Sequence, residues 1–315
     1  MTKEQNRKIT YLLWKKRRAI PIIYWIYRWA IETKTKFHAV VIAFFIKFFQ
    51  KRVITRGIGN VIINKNNTIL SMQDGPMFYW DPVGKNRLID MGVNGLLERE
   101  DILLVGKMLH PGDTVIDIGA NFGLYTLYSS LCVGKKGWVH AFEPQKQAYR
   151  WLTENIHLNN QKNITTNQVA LGDTISTVKL YSYEGIDVGY SSLAKQYRGT
   201  PSVQTCPMTT LDKYISSIHH IKNVDFIKCD IEGAELLAFR GGVKTIESSQ
   251  PIILFECVDE FTRNFGYSSE DLFHFLTARE YTIYVTDFNR LAIPKRYKGL
   301  FHKINTSFGF IKIAD

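Results

Sequence analysis

From Thr114 onward, short apolar runs alternate with stretches in which apolar residues return every three or four positions. The runs Thr114 to Ile118, Trp138 to Phe142, Ile164 to Val169, Asp225 to Cys229, Ile252 to Phe255, Thr282 to Val285 and Phe308 to Ile313 read as seven strands. Between them, Asn121 to Leu131, Gln145 to Leu158, Gly233 to Phe239 and Glu270 to Thr277 read as amphipathic helices. That alternation predicts an α/β fold, a doubly wound and mostly parallel seven-stranded sheet with helices on both faces, interrupted by an insertion near 174–209. Upstream, a helix fits Glu98 to Leu109 and stops at the turn His110-Pro111-Gly112-Asp113. Residues 53–97 change to short alternating runs punctuated by Gly57, Gly59, Asn66-Asn67 and Asp74-Gly75, the pattern of a β-hairpin-rich region.

The first 52 residues differ again. Phe37, Val40, Val41, Phe44, Phe45, Phe48 and Phe49 fall on one helical face, and Ile20 to Ile31 mixes Tyr24, Trp25, Tyr27 and Trp29 with Arg28. This segment carries thirteen Lys and Arg against Glu4 and Glu32, which equals the +11 of the whole 315-residue chain. The other 263 residues are therefore electrically balanced, which argues against a basic nucleic-acid cleft. Cations interleaved with aromatic rings suit an anionic membrane surface, where each Lys or Arg adds on the order of 1 kcal/mol; packing on protein is the competing expectation. No run reaches the roughly 20 apolar residues of a bilayer span, and Pro21 within the first apolar run argues against a cleavable signal. Cys132, Cys206, Cys229 and Cys257 show no metal-ligand spacing and read as reduced, buried thiols of a cytoplasmic protein, peripheral at most on the inner membrane face.

Candidate chemistry gathers at the predicted strand ends. The first strand runs into Asp117-Ile118-Gly119-Ala120-Asn121-Phe122-Gly123, a glycine-bearing turn that opens a helix. The next strand ends at Glu143, 24 residues beyond Gly119, where an acid can accept hydrogen bonds from both ribose hydroxyls of an adenosine-containing cofactor. A dinucleotide turn would carry glycine where Asp117 stands, and a carboxylate there repels pyrophosphate. It suits an ammonium-bearing ligand, which points to S-adenosylmethionine over a nicotinamide. Asp230 and Glu232, two apart at a later strand end, can face one cleft. Asp230 is the candidate base for a hydroxyl acceptor and Glu232 a hydroxyl-binding group. With Glu256 they could hold a divalent ion, although no His joins them, so no metal ligand is assigned. Lys228 either neutralises these acids or contacts substrate, Glu256 at the end of the next strand is a candidate substrate contact, and Tyr190 sits in a polar loop, Gly185 to Gly199, of substrate-loop composition.

Taken together, PGD at 111–113, VIDIGANFGLYT at 115–126, AFEP at 141–144, VALGD at 169–173, TLDKY at 210–214 and FIKCDIEGAELLAFRGG at 226–242 resemble the FkbM-type class I methyltransferases. The resemblance covers roughly residues 95 to 260. It implies a Rossmann-like methyltransferase domain, here at 98–315, that transfers methyl from S-adenosylmethionine to oxygen on sugars, glycans or lipid-linked metabolites. It further implies that Asp117, Gly119, Asn121 and Gly123 surround the methionine end, Glu143 the ribose and Ala170 the adenine, with Asp173 nearby and Glu98 matching an acid ahead of the first strand. Two rival functions follow from the residues alone: a nicotinamide-dependent oxidoreductase, which Asp117 disfavours, and a non-enzymatic membrane or nucleic-acid adaptor on a vestigial fold.

Overall fold

A computed structural model describes residues 58–63, 68–80, 98–183, 191–195, 200–219, 221–286, 289–297, 299, 301–302 and 310–314. The predicted basic segment 1–52 lies outside the described residues, as does Tyr190.

The hairpin signals form a three-stranded antiparallel sheet, β1 (Ile58–Ile63), β2 (Thr68–Met72) and β3 (Met77–Trp80). Then come α1 (Arg99–Met108), β4 (Thr114–Ile118), α2 (Leu124–Val133), β5 (Trp138–Phe142), α3 (Lys146–Leu158) and β6 (Ile164–Asn167). The insertion is a small sheet of β7 (Ala170–Leu171), β8 (Ser176–Tyr183), β9 (Ser191–Ser192) and β10 (Pro201–Thr209). The chain continues through α4 (Leu211–Ser216), β11 (Phe226–Cys229), α5 (Glu235–Arg240), α6 (Val243–Ser249), β12 (Ile252–Phe255), α7 (Asp259–Thr262), α8 (Ser269–Thr277), β13 (Tyr281–Val285), β14 (Arg290–Pro294) and β15 (Ile311–Ala314).

The large sheet runs β15-β13-β14-β12-β11-β4-β5-β6, so it has eight strands where the sequence predicts seven. The additional strand is β14, five residues that start at an arginine and end at a proline, so that only Leu291, Ala292 and Ile293 are apolar and it does not register as an apolar run. β12, β11, β4, β5 and β6 pair in parallel, whereas β14 joins β12 and β13 antiparallel and β15 joins β13 antiparallel. From β4 the chain builds outward through β5 and β6, then returns to build β11 and β12 on the other side. The order therefore reverses between β4 and β11, and in a doubly wound sheet ligands bind beyond the strand ends at that reversal.

Side chains alternate along each strand, and both faces are apolar. Val115, Val139, Phe226, Leu254 and Ile293 pack with Val105 of α1, Leu127 of α2 and Ile156 of α3. Ile116, Ile227, Ile253, Phe255 and Ala292 pack with Leu211 of α4, Phe239 of α5, Ile246 of α6 and Leu272 of α8. Period-two burial on both faces is what near-continuous apolar strands predict for a sheet sandwiched by helices.

The N-terminal sheet docks by matched polar groups. Asn155 Oδ1 accepts from Tyr79 N at 2.8 Å, Asn159 Oδ1 accepts from Met77 N at 2.7 Å, and Phe78 meets Phe122 edge to face at 5.7 Å between centroids. Among the described residues no helix is long and apolar enough to cross a membrane.

Candidate active site

At the β4–β11 reversal a cleft opens, enclosing about 1040 Å³ out to its mouth, enough for a nucleoside-sized ligand and part of a second molecule. Its walls come from the turns after β4, β5 and β11, from Val169 to Leu171, and from Leu180, Ser191 and Leu193 of the insertion.

The turn after β4 is built for close approach. Gly119 has φ +82, and a Cβ on it would strike the carbonyl oxygen of Asp230, so this position accepts only glycine. Asn121 follows at φ +52, a conformation asparagine tolerates, and turns its N–H toward Glu143 Oε2 at 2.8 Å. Glu143 Oε1 accepts from Gln145 N at 2.8 Å, so the two turns flanking this acid fix both its oxygens. Burial pushes its carboxyl up to about 7, against those two N–H donors. Each oxygen retains a lone pair, which is what a ribose diol requires. Gly123, at φ +97, is not among the cleft-lining residues. It starts α2, where a Cβ would press on Leu152 Cδ1, so the structure gives it a packing reason.

Asp117 is 2 % exposed and accepts a hydrogen bond from Thr126 Oγ1. Burial raises its carboxyl to about 6. An ionised acid so placed is costly, and the Thr126 hydrogen bond and the nearby Lys228 charge offset only part of that cost. Ala170 lines the cleft as well, whereas Asp173 is exposed and does not.

The turn after β11 is strained too. Glu232, buried, sits at φ +56 and Gly233 at φ +97. Glu235 organises this turn, a role the sequence does not announce: its Oε1 accepts from Ile231 N at 3.0 Å and Gly233 N at 3.2 Å. The Glu232 carbonyl accepts from Ser192 Oγ at 3.1 Å, which ties the insertion to the same turn.

Asp230, Glu232 and Glu256 each bring an oxygen within 4.8 Å of the others. Asp230 and Glu232 line the cleft; Glu256 stands behind them with Oε2 buried and unpaired, and burial holds its carboxyl well above the usual range. A divalent ion could bridge such a trio, but Lys228 Nζ already lies 3.2 Å from Asp230 Oδ2 and supplies a cation to the cluster. Lys228 is 2 % exposed, so its position favours the charge-neutralising expectation over direct substrate contact.

Among the described residues, the cleft lining carries five carboxyl groups, Glu98, Asp117, Glu143, Asp230 and Glu232, against the one ammonium of Lys228. Such a site attracts a cation and repels phosphate. The sequence assigns no role to Tyr125, which lies inside the 115–126 motif and whose hydroxyl donates to Glu98 Oε2 at 2.6 Å, nor to Asn289, which belongs to no quoted motif.

A family model described as the methyltransferase FkbM domain matches residues 117–283. A curated relative, Methyltransferase 1 of Beauveria bassiana, is 25 % identical over 150 residues, 42 % of this chain and 59 % of that protein, so the match spans well under the relative's full length. Among solved structures, FkbM methyltransferase from Methylobacillus flagellatus is similar at 15 % identity and TM-score 0.41, covering 66 % of this chain and 60 % of that one. A SAM-dependent methyltransferase from Aquifex aeolicus is similar at 17 % identity and TM-score 0.38, covering 68 % and 97 %.

Proposed function

This chain belongs to the methyltransferase FkbM domain family, and we propose that it uses S-adenosylmethionine to methylate a hydroxyl oxygen of a sugar, glycan or lipid-linked metabolite. The observation that carries the reading is the acid-lined cleft at the strand reversal, with Glu143 fixed by two backbone N–H groups and Asp117 buried behind Gly119.

When bound, the donor supplies an electrophilic methyl carbon on a positively charged sulfur. The chain's residues do the rest. Glu143 holds the ribose diol, Asp117 faces the ammonium end, and Ala170 and Leu171 border the adenine. Asp230, on the other lip, accepts the hydroxyl proton of the acceptor as its oxygen bonds to the methyl carbon and the carbon–sulfur pair returns to sulfur. Glu232 holds a neighbouring hydroxyl. Most of the acceleration comes from alignment, which well-oriented reactions value at about 7–11 kcal/mol. The excess of carboxylates favours a neutral, hydroxyl-rich acceptor over an anionic one near the reacting carbon.

The test is to incubate the protein with labelled methyl donor and a total cell extract, then locate the label. Label in glycan or lipid-linked fractions supports the reading; label confined to RNA or protein, or no transfer, contradicts it. We further propose that residues 1–52 hold the enzyme at an anionic membrane surface, a reading supported by their +11 charge and aromatic content. Deleting residues 1–50 should release it from anionic vesicles, and unchanged binding would refute the placement.

A further inference from the structure

Behind the candidate base lies a buried polar chain that crosses from the antiparallel half of the sheet to α1. Lys228 Nζ donates to Asp230 Oδ2 at 3.2 Å and to Asn289 Oδ1 at 3.1 Å, and it stands 4.9 Å from the centre of the Tyr125 ring. An ammonium has three protons, and a carboxylate, an amide oxygen and a π face account for all three. Lys228 therefore has none to offer a substrate.

Asn289, 2 % exposed, has its amide orientation dictated by charge. Its Oδ1 must face the ammonium, and its Nδ2 donates to Asp101 Oδ2 at 2.7 Å and Glu98 Oε2 at 3.3 Å; a flipped amide would set N–H against N–H and oxygen against oxygen. The backbone is fixed as well, with Thr286 Oγ1 accepting from Asn289 N at 3.0 Å and the Asn289 carbonyl accepting from Thr286 N at 3.1 Å.

We infer that Lys228 is a positioning residue, tethered by Asn289, which engages Oδ2 of Asp230, places its positive charge against that carboxylate and leaves Oδ1 for the proton of the acceptor hydroxyl. Tethering matters because Glu98 and Glu256 also attract the ammonium; loosened, it would divide its time among three acids. Burial works to lower the Lys228 ammonium, and the charges of Asp230, Glu98 and Glu256 more than offset it, so it stays protonated. The inference rests on Asp230 serving as base, the role given to it above.

Asp230 is surrounded by Asp117 on β4, Tyr125 on α2, Glu143 after β5, Lys228 and Cys229 on β11, Glu232 in the following turn, Glu235 at the start of α5 and Glu256 after β12. Its titration must therefore be read directly. Carboxyl-carbon NMR of the full-length protein labelled at aspartate, with the resonance assigned through its loss in Asp230→Asn, needs neither donor nor acceptor. Lys228→Met should move the Asp230 midpoint up by about one pH unit or more, because the stabilising cation is gone. Asn289→Leu should move it the same way by less.

An unmoved midpoint in folded Lys228→Met overturns the inference. If that variant does not fold, an unmoved midpoint in Asn289→Leu overturns it instead. A wild-type protein that shows these shifts yet transfers no methyl group would refute the proposed function and leave the tether standing.

Discussion

In the parallel half of the large sheet, the two turns after β4 and β11 hold five residues at positive φ: Gly119, Asn121, Gly123, Glu232 and Gly233. The buried acids Asp117, Glu143, Glu232 and Glu235 crowd the same strand ends. In the antiparallel half, β13 and β14 carry Ile283, Leu291, Ala292 and Ile293, fully buried and apolar, and among the described residues the positive φ next to these strands belongs to Glu280 at the entry to β13. One core supports both halves, so the strain is not forced by the sheet. It is concentrated where backbone must approach a ligand and where charge must be held out of water, at a cost the apolar half offsets. Asn289 is the point where the quiet half reaches into the strained one.

Asp230→Asn should break the comparison most severely. Methyl transfer should fall on the order of 100- to 10,000-fold while calorimetric donor affinity stays within about twofold. An active variant would remove Asp230 as the base.

Gly119→Ala should cost about 3 kcal/mol or more in denaturant unfolding, because the new Cβ meets the Asp230 carbonyl in a left-handed backbone. Gly266→Ala, also at positive φ but with nothing within 4 Å, should cost only about 1 kcal/mol. Equal losses would show that the close approach at Gly119 is not the reason for the residue.

Smaller again is the pH dependence. Asp117 at about 6 and Glu143 at about 7 remain partly protonated in the empty protein at mildly acid pH, so donor affinity should rise roughly tenfold from pH 5 to 7.5 as they ionise toward a cationic ligand. Stability of the ligand-free protein should run the other way. Between about pH 4 and 7 the folded chain keeps protons on Asp117, Glu143 and Glu235 that the unfolded chain has released, so unfolding free energy falls as pH rises. The smallest effect belongs to the antiparallel half: Ile293→Val should cost about 1 kcal/mol of stability and leave donor affinity unchanged.

Much of this was legible in the chain. Thr114 to Ile118, Trp138 to Phe142 and Ile252 to Phe255 are strands with the predicted ends, because fully buried parallel strands write themselves as unbroken apolar runs. Asp117, Gly119, Asn121, Glu143, Ala170, Lys228, Asp230 and Glu232 were all singled out, and the fold brings them to one cleft. β14 was hidden by its ends, an arginine and a proline, which interrupt the apolar pattern. The insertion concealed a sheet, since β10 carries Pro201 and Pro207 and much of β8 and β10 is exposed. Asn289 could not be found at all. It lies 61 residues from Lys228 and 188 from Asp101, and only the folded sheet places it between them.

Isothermal titration of the folded wild-type protein with S-adenosylmethionine at pH 7.5, beside Asp117→Asn, puts the central claim most directly. The account predicts saturable heat at one site per chain for the wild type and affinity weakened about tenfold or more in the variant. No heat from the wild type, or equal affinity in both, would contradict it.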